Sequence, residues 1–222
     1  VSARLRLILF DVDGTLADSQ NAIASAMRFA FEGQGLVVPA RADILSIVGL
    51  SLPLAMDQLA PDQTAAVRAQ LVEGYKQAYM DKRLAQGPGH SPLFPGAAET
   101  LAGLHAVPEY LLGVATGKSQ RGLDALIDAH GLDCFVTRQA ADNHPSKPHP
   151  SMVLTALAET GVEPADAVMI GDTSFDIDMG RAAGVRTIAV DWGYHPAAEL
   201  DADHVISSFD QLAPLLQQIW KT

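Results

Sequence analysis

Asp11-Val12-Asp13-Gly14-Thr15 sets two carboxylates two residues apart, directly after an apolar run. On an extended chain that spacing points both side chains to one face. Carboxylates sharing a site raise one another's pKa unless a cation lies between them. The pair therefore suits a metal site, or a nucleophile beside an acid/base. Gly14 permits a sharp turn just past the pair, although an ordinary acidic turn uses the same residue types. Ala115-Thr116-Gly117-Lys118-Ser119 follows a second apolar run and opens a helical pattern. A hydroxyl, flexible backbone and a helix N-terminus together make an anion site, but Ser and Thr are also the usual N-caps. Ser146-Lys147-Pro148-His149-Pro150 holds a lysine among prolines, the last placed to open a helix at its first position; a solvated loop lysine is the alternative. In Gly171-Asp172-Thr173-Ser174-Phe175-Asp176 the two acids are four residues apart, on one face if a helix begins there. Carboxylate oxygens select a hard cation, and beside a phosphate ligand that cation is Mg²⁺. An N-cap aspartate with a surface acid is the competing reading, closer for Asp176 than for Asp172.

These residues need elements to position them. Short apolar runs at Leu7 to Phe10, Tyr110 to Ala115, Ala167 to Ile170, Thr187 to Val190 and His204 to Ile206 read as strands buried on both faces of a parallel sheet. Between them, Ala97 to Ala106, Gln120 to Ala129, Pro150 to Thr160 and Asp176 to Ala183 have helical periodicity. Alternating strand and helix predicts an open, Rossmann-like α/β sheet, with ligands at the carboxyl ends of the strands. The segment from Asp18 to Gly89 contains helical patterns at Ala22 to Phe31 and Asp62 to Leu84 and no convincing strand. The stretch from Gln86 to Pro92 is rich in Gly and Pro and reads as a linker. The predicted organisation is a discontinuous core, residues 1–17 and 90–222, interrupted by a helical insert, residues 18–89.

The chain has 222 residues, 48% of them hydrophobic and 18% charged, which is the composition of a globular protein with one main core. No apolar run approaches the roughly 18 residues of a membrane span. The N-terminal apolar run stops at Asp11, too early for a signal peptide, so a cytoplasmic protein is expected. The start at Val1 rather than Met reads as a trimmed or engineered end. The single cysteine, Cys134, rules out an intrachain disulfide and fits a reducing compartment; it reads as an apolar filler. A formal net charge of −11 argues against nucleic-acid and anionic-membrane partners, and obliges any anionic substrate to be met by local cations. No histidine has metal-ligand spacing to another histidine or to the cysteine. The histidines read as loop or surface residues, with His149 kept open because it neighbours Lys147. Trp192 and Tyr194 read as packing residues.

Each of the four motifs falls at the carboxyl end of an expected strand or opens the helix that follows, and in that order they resemble the haloacid dehalogenase superfamily of phosphohydrolases. Asp11 to Thr15 resembles the first motif of that family, Thr116 in Ala-Thr-Gly-Lys the second, Lys147 the third, and Gly171-Asp172 through Asp176 the fourth. The insert resembles its C1-type helical cap. Asp11 to Ser19, Thr116 to Ser119 and Trp192-Gly193-Tyr194 look most like the phosphoglycolate phosphatases within it. The resemblance implies an Mg²⁺-dependent phosphatase in which Asp11 is the nucleophile and forms an aspartyl phosphate, and Asp13 is the general acid and base. It implies that Thr116, the Gly117 N–H and Lys147 bind the phosphoryl group. It assigns Mg²⁺ to Asp11, the Asp13 backbone carbonyl and Asp172, supported by Asp176 and Thr15. A small phosphorylated metabolite is the implied partner, with 2-phosphoglycolate the first candidate and a monomer or homodimer the expected state. A sugar phosphomutase of the same superfamily and a degenerate, non-catalytic binding protein are the alternatives. A metal-free dehalogenase is disfavoured by Asp13, Asp172 and Asp176. Arg28, Arg41, Lys76, Lys82 and Arg83 in the insert are candidates to meet a substrate carboxylate, and the sequence does not rank them.

Overall fold

The computed structural model describes residues 4–221, so Val1 lies outside it. Six strands form one parallel sheet in the order β3-β2-β1-β4-β5-β6. They are β1 (Arg6–Phe10), β2 (Tyr110–Thr116), β3 (Phe135–Ala140), β4 (Ala167–Gly171), β5 (Arg186–Val190) and β6 (His204–Ile206). Five were expected. β3 was not, because Thr137, Arg138 and Gln139 interrupt its apolar character. An edge strand tolerates them: Thr137 and Gln139 are buried but share the carboxylate of Glu159.

The continuous apolar runs follow from burial on both faces. Ile8 and Phe10 point to one side, against α5 (Ala97–His105), α6 (Gln120–His130) and α9 (Leu212–Trp220). Leu7 and Leu9 point to the other, against α7 (Ser151–Thr160) and α8 (Ser174–Ala182). The four core helices expected from periodicity are present. α7 begins one residue later than expected, with Pro150 as its N-cap rather than its first turn. α8 begins at Ser174, so Asp172 precedes the helix rather than sharing its face with Asp176.

The segment after β1 carries α1 (Gln20–Gly33), α2 (Arg41–Ser46), α3 (Leu52–Leu59) and α4 (Ala65–Gln86). Thr64 caps α4 by accepting a hydrogen bond from Val67 N at 3.3 Å. Ile23, Met27, Phe31, Met56 and Leu71 give these helices an apolar cluster of their own. α2 and α3 were not expected; at six and eight residues they are too short to show a helical period. The Gln86 to Pro92 stretch contains a single 3₁₀ turn, Gly87–His90. Among the described residues, no helix is long and apolar enough to cross a membrane.

β1 lies centrally, with β2 on one side and β4 on the other. Crossovers to opposite sides of one strand leave a crevice at its carboxyl end. Asp11 follows β1, Thr116 ends β2 and Asp172 follows β4, so the topology alone brings three of the four motifs to that crevice.

Candidate active site

Asp11 is 1% exposed, and its backbone N–H donates to Ile170 O at 2.9 Å, which continues the β1–β4 pairing by one residue. Lys147 is fully buried beside it, with Nζ 2.8 Å from Asp11 Oδ1 and 2.6 Å from Asp176 Oδ1. Only the contact to Asp176 has hydrogen-bond geometry; the one to Asp11 is an ion pair without it, so neither Asp11 oxygen accepts a hydrogen bond. Asp176 Oδ2 accepts from Thr173 N at 3.0 Å and Thr173 Oγ1 at 2.7 Å, which closes the first turn of α8 around Lys147. Asp176 is therefore a buried anchor for the lysine, not a surface acid.

Asp172 Oδ1 accepts from Thr15 Oγ1 at 2.8 Å, and Oδ2 from the backbone N–H of Tyr194 at 2.9 Å. Gly14 adopts φ +87°, and a Cβ there would come within 2.2 Å of Asp172 Oδ2, so the turn after the aspartate pair admits only glycine.

Three carboxylates face one ammonium in this pocket. Burial raises the Asp11 pKa to about 7; Lys147 opposes the shift, and Asp176 and Asp13 add to it. Burial likewise pushes Asp172 well above the ordinary carboxylate range, and Asp176 and Asp11 push it further. Burial would lower the Lys147 pKa, but Asp11 and Asp176 outweigh it and hold the ammonium above its ordinary value. Oxygens of Asp11, Asp172 and Asp176 lie within 4.8 Å of one another. Two buried anionic oxygens without donors, in an all-oxygen cluster with excess negative charge, fit a hard divalent cation.

Asp13 shares the cavity, but its partner is one that sequence reasoning passed over. Lys118 Nζ donates to both Asp13 oxygens, at 2.7 and 2.9 Å, and to Tyr79 Oη of α4 at 3.1 Å. Burial lowers the Lys118 pKa, yet Asp13 and then Tyr79 reverse the shift and hold it above its ordinary value. Lys118 lies in the bend two residues past the end of β2, where strand alternation no longer places a side chain. Tyr79 falls inside the helical pattern of Asp62 to Leu84, and nothing local marked it. Thr116 is fully buried, with Oγ1 accepting from Lys118 N at 3.2 Å. The N-cap of α6 is Ser119, which accepts from Gly122 N at 3.2 Å, so Thr116 is free of that structural duty.

His149 does not join the site; it is exposed and its Nδ1 accepts from Ser151 N. His90 and His144 are not simple surface residues. His90 is buried edge-on to the Tyr79 ring at 4.6 Å, and His144 lines the cavity above Asp11. Trp192 packs on Phe94 and Phe209, as expected, and also donates to Thr15 O at 3.1 Å. Tyr194 does more than pack: besides holding Asp172 through its backbone, its Oη accepts from Ser19 N at 3.0 Å, where the chain enters α1.

The loop between α2 and α3 is shut against the core. Ser51 N donates to Ser146 Oγ at 2.8 Å, and His195 Nε2 to Ser46 O at 3.0 Å. Gly117 meets Gly49 so closely that a Cβ on Gly117 would lie 2.5 Å from Gly49 O and 3.0 Å from Leu50 O. Backbone cannot yield as a side-chain tip can. Gly117→Ala is expected to prop this seam open, lowering kcat on the order of 10²-fold, the cost of about 1 Å of misplacement at a reacting centre. The melting temperature should change little, since the seam lies outside both main cores. Steady-state kinetics and a thermal melt check both halves of that expectation.

A parallel α/β sheet that presents buried aspartates, a lysine and a threonine at the ends of its central strands, beneath a layer of helices, defines a hydrolase of the phosphoryl-transfer type. A family model described as Haloacid dehalogenase-like hydrolase matches residues 8–190, and the chain belongs to that family. "Probable phosphatase IndB" of Dickeya dadantii is 37% identical over 201 residues, covering 88% of this chain and 85% of that protein. The N-acetylmuramic acid 6-phosphate phosphatase of Pseudomonas putida is 33% identical over 196 residues, covering 87% and 86%. In fold, the chain matches the crystal structure of a predicted phosphoglycolate phosphatase from Haemophilus somnus 129PT, with a TM-score of 0.86, 23% identity, and coverage of 98% of this chain and 100% of that one.

Proposed function

We propose that the protein hydrolyses a small phosphate monoester through a covalent phosphate on Asp11. The observation that carries this is the Asp11 carboxylate, buried at the floor of the cavity, with Oδ1 facing only the Lys147 ammonium at 2.8 Å and Oδ2 meeting no donor, while the other acids of the cluster are held by hydrogen bonds. A nucleophile needs a free lone pair, and a purely structural carboxylate would be saturated. In this reading Asp11 attacks phosphorus, the bond to the leaving oxygen breaks, and an acyl phosphate forms. Asp13, a carboxylate while Lys118 donates to both its oxygens, takes up a proton from solvent as the substrate binds and gives it to the leaving alkoxide. Water then attacks phosphorus, Asp13 takes the proton, and inorganic phosphate leaves as the Asp11 carboxylate is regenerated. Thr116, the Gly117 N–H and Lys147 hold the phosphoryl oxygens. Asp11, Asp172 and the Asp13 carbonyl would hold Mg²⁺, which supplies positive charge between a carboxylate and a phosphate dianion when bound. Thr15 and Asp176 keep Asp172 and Lys147 in place. Helices α1–α4, residues 18–89, act as a cap over the core formed by 1–17 and 90–222, and exclude water from the intermediate.

Asp13→Asn tests the covalent route. The nucleophile remains, but neither the alkoxide nor the attacking water has a proton partner. Turnover of an alkyl ester is expected to fall about 10²–10⁴-fold. With p-nitrophenyl phosphate, whose leaving group needs little protonation, the first step should suffer less than the second, so phosphate accumulates on Asp11. Acid quench and mass spectrometry of the Asp11 peptide read this directly. Phosphate mapping to Thr116 or Ser119 would overturn the assignment. The motif resemblance makes 2-phosphoglycolate the first ester to assay.

A further inference from the structure

With the α2–α3 loop against the core, a cavity of about 420 Å³ remains above Asp11 and Asp13. That is about 14 times the roughly 30 Å³ share of a liquid water, far more than a phosphoryl group and a two-carbon alcohol occupy. The cavity wall is built for something else. Ile23 and Met27 of α1, Ile47 and Leu50 of the loop, and Tyr75 and Met80 of α4 face it. Tyr75 stacks on Tyr79, with 5.7 Å between ring centres at 25°, and both residues line the cavity. Sites of this kind bury most of a ligand against apolar lining and fix it with a few polar groups.

The structure also ranks the cations of the helical insert. Arg41 is held by Gln20 and Asn21, and Lys82 by Ser25, and neither lines the cavity. Arg28 is exposed and outside it. Lys76 lines it but is paired with Glu73 at 2.8 Å. Arg83 lines it, is half-buried, and among the described residues makes no ion pair or side-chain hydrogen bond. On the core side, Lys118 is neutralised by Asp13, and Arg121 is exposed at the rim. A helix's last turn favours a cation in any case, but Arg83, the one basic residue in the last turn of α4, faces the cavity, whereas Lys82 just before it is tied to Ser25 of α1. The neighbouring His90 registers the local field: burial lowers its pKa first, and Lys118, Arg83 and Lys82 lower it further. In a chain of net charge −11, an arginine facing the cavity, unpaired among the described residues, is a local feature.

We propose that the substrate is a phosphate monoester of a ring-bearing alcohol with a second anionic group, its ring lying on the Tyr75–Met80 wall and its anion, a carboxylate, meeting Arg83. The proposal rests on the phosphatase reading and narrows it. The test is kcat/KM with Mg²⁺ for three primary alkyl esters: 2-phosphoglycolate, which has the anion and no ring; benzyl phosphate, which has the ring and no anion; and para-carboxybenzyl phosphate, which has both. The leaving groups are all primary alkoxides, so acid catalysis does not separate them. Para-carboxybenzyl phosphate is expected to be the best, on the order of tenfold over benzyl phosphate, the value of one hydrogen-bonded charge, with 2-phosphoglycolate below both. Arg83→Ala should shrink that tenfold ratio toward one, and Arg83→Lys should retain part of it. Met80→Trp, at a half-buried position where a larger ring fits without unfolding a core, should lower kcat/KM for both ring esters relative to 2-phosphoglycolate. The proposal is overturned if 2-phosphoglycolate outruns the ring esters, or if Arg83→Ala lowers both ring esters equally. Turnover of none of the three, nor of p-nitrophenyl phosphate, overturns the phosphatase reading itself.

Discussion

Asp11→Asn is expected to eliminate turnover, by on the order of 10⁴-fold or more, and to leave no phosphate on the chain after acid quench. The amide is the same size as the carboxylate but cannot form the acyl phosphate. A stability measurement separates lost chemistry from lost fold. The Asp11 pKa is raised to about 7 in the folded chain, against 3.8 when unperturbed. Between those values the native state binds this proton more tightly than the unfolded state does. Asp11 therefore makes metal-free stability decline as pH rises from about 4 to about 7, with the loss complete above that. Asn at position 11 removes that contribution. The metal-free variant should melt at least as high as the parent at pH 8, with a flatter pH dependence. A variant that is dead because it is unfolded would melt lower, and near-normal turnover would remove Asp11 from the nucleophile's role.

Chelation is expected to have an effect of similar size. EDTA should abolish activity and Mg²⁺ should restore it, whereas Ca²⁺, which accepts looser and larger coordination, should do so poorly. The same ion should raise the melting temperature, because it offsets the burial, and after it the mutual repulsion, that push Asp11 and Asp172 upward. At a hundredfold excess over its Kd a ligand stabilises by about 2.7 kcal/mol, which in a chain of this size is about 5–10 °C. The shift should grow between pH 5 and pH 8, since the carboxylates must lose their protons to bind. Full activity in chelator would exclude this mechanism.

The site was legible in the sequence to the extent that its residues stand at strand ends. Asp11, Thr116 and Asp172 each follow an uninterrupted apolar run, and a parallel sheet gathers such positions without further instruction. Lys147 comes from a loop, and its motif, not its surroundings, identified it. Lys118 is 105 residues from Asp13 and 39 from Tyr79, so the contact that holds the second aspartate has no local signature. Tyr194 acts on Asp172 through its backbone, which no side-chain pattern can announce. In the fold, β3 was lost to its polar edge residues, and α2 and α3 to their shortness. α9 was passed over although Leu212, Leu216 and Ile219 carry its buried face at readable spacing. The ranking of the insert's cations required knowing which of them are already engaged.

The Gly49–Gly117 seam has a consequence for how such a protein changes over time. The two parts meet backbone to backbone, with no side chain from either residue between them. The fit at the seam is then indifferent to what stands at Tyr75, Met80 or Arg83, and those positions are free to vary while the reacting groups below keep their spacing. Selectivity can drift one wall residue at a time without passing through an intermediate that has lost its chemistry. For the same reason, an experimenter can randomise the wall and select for new esters, leaving the two glycines alone.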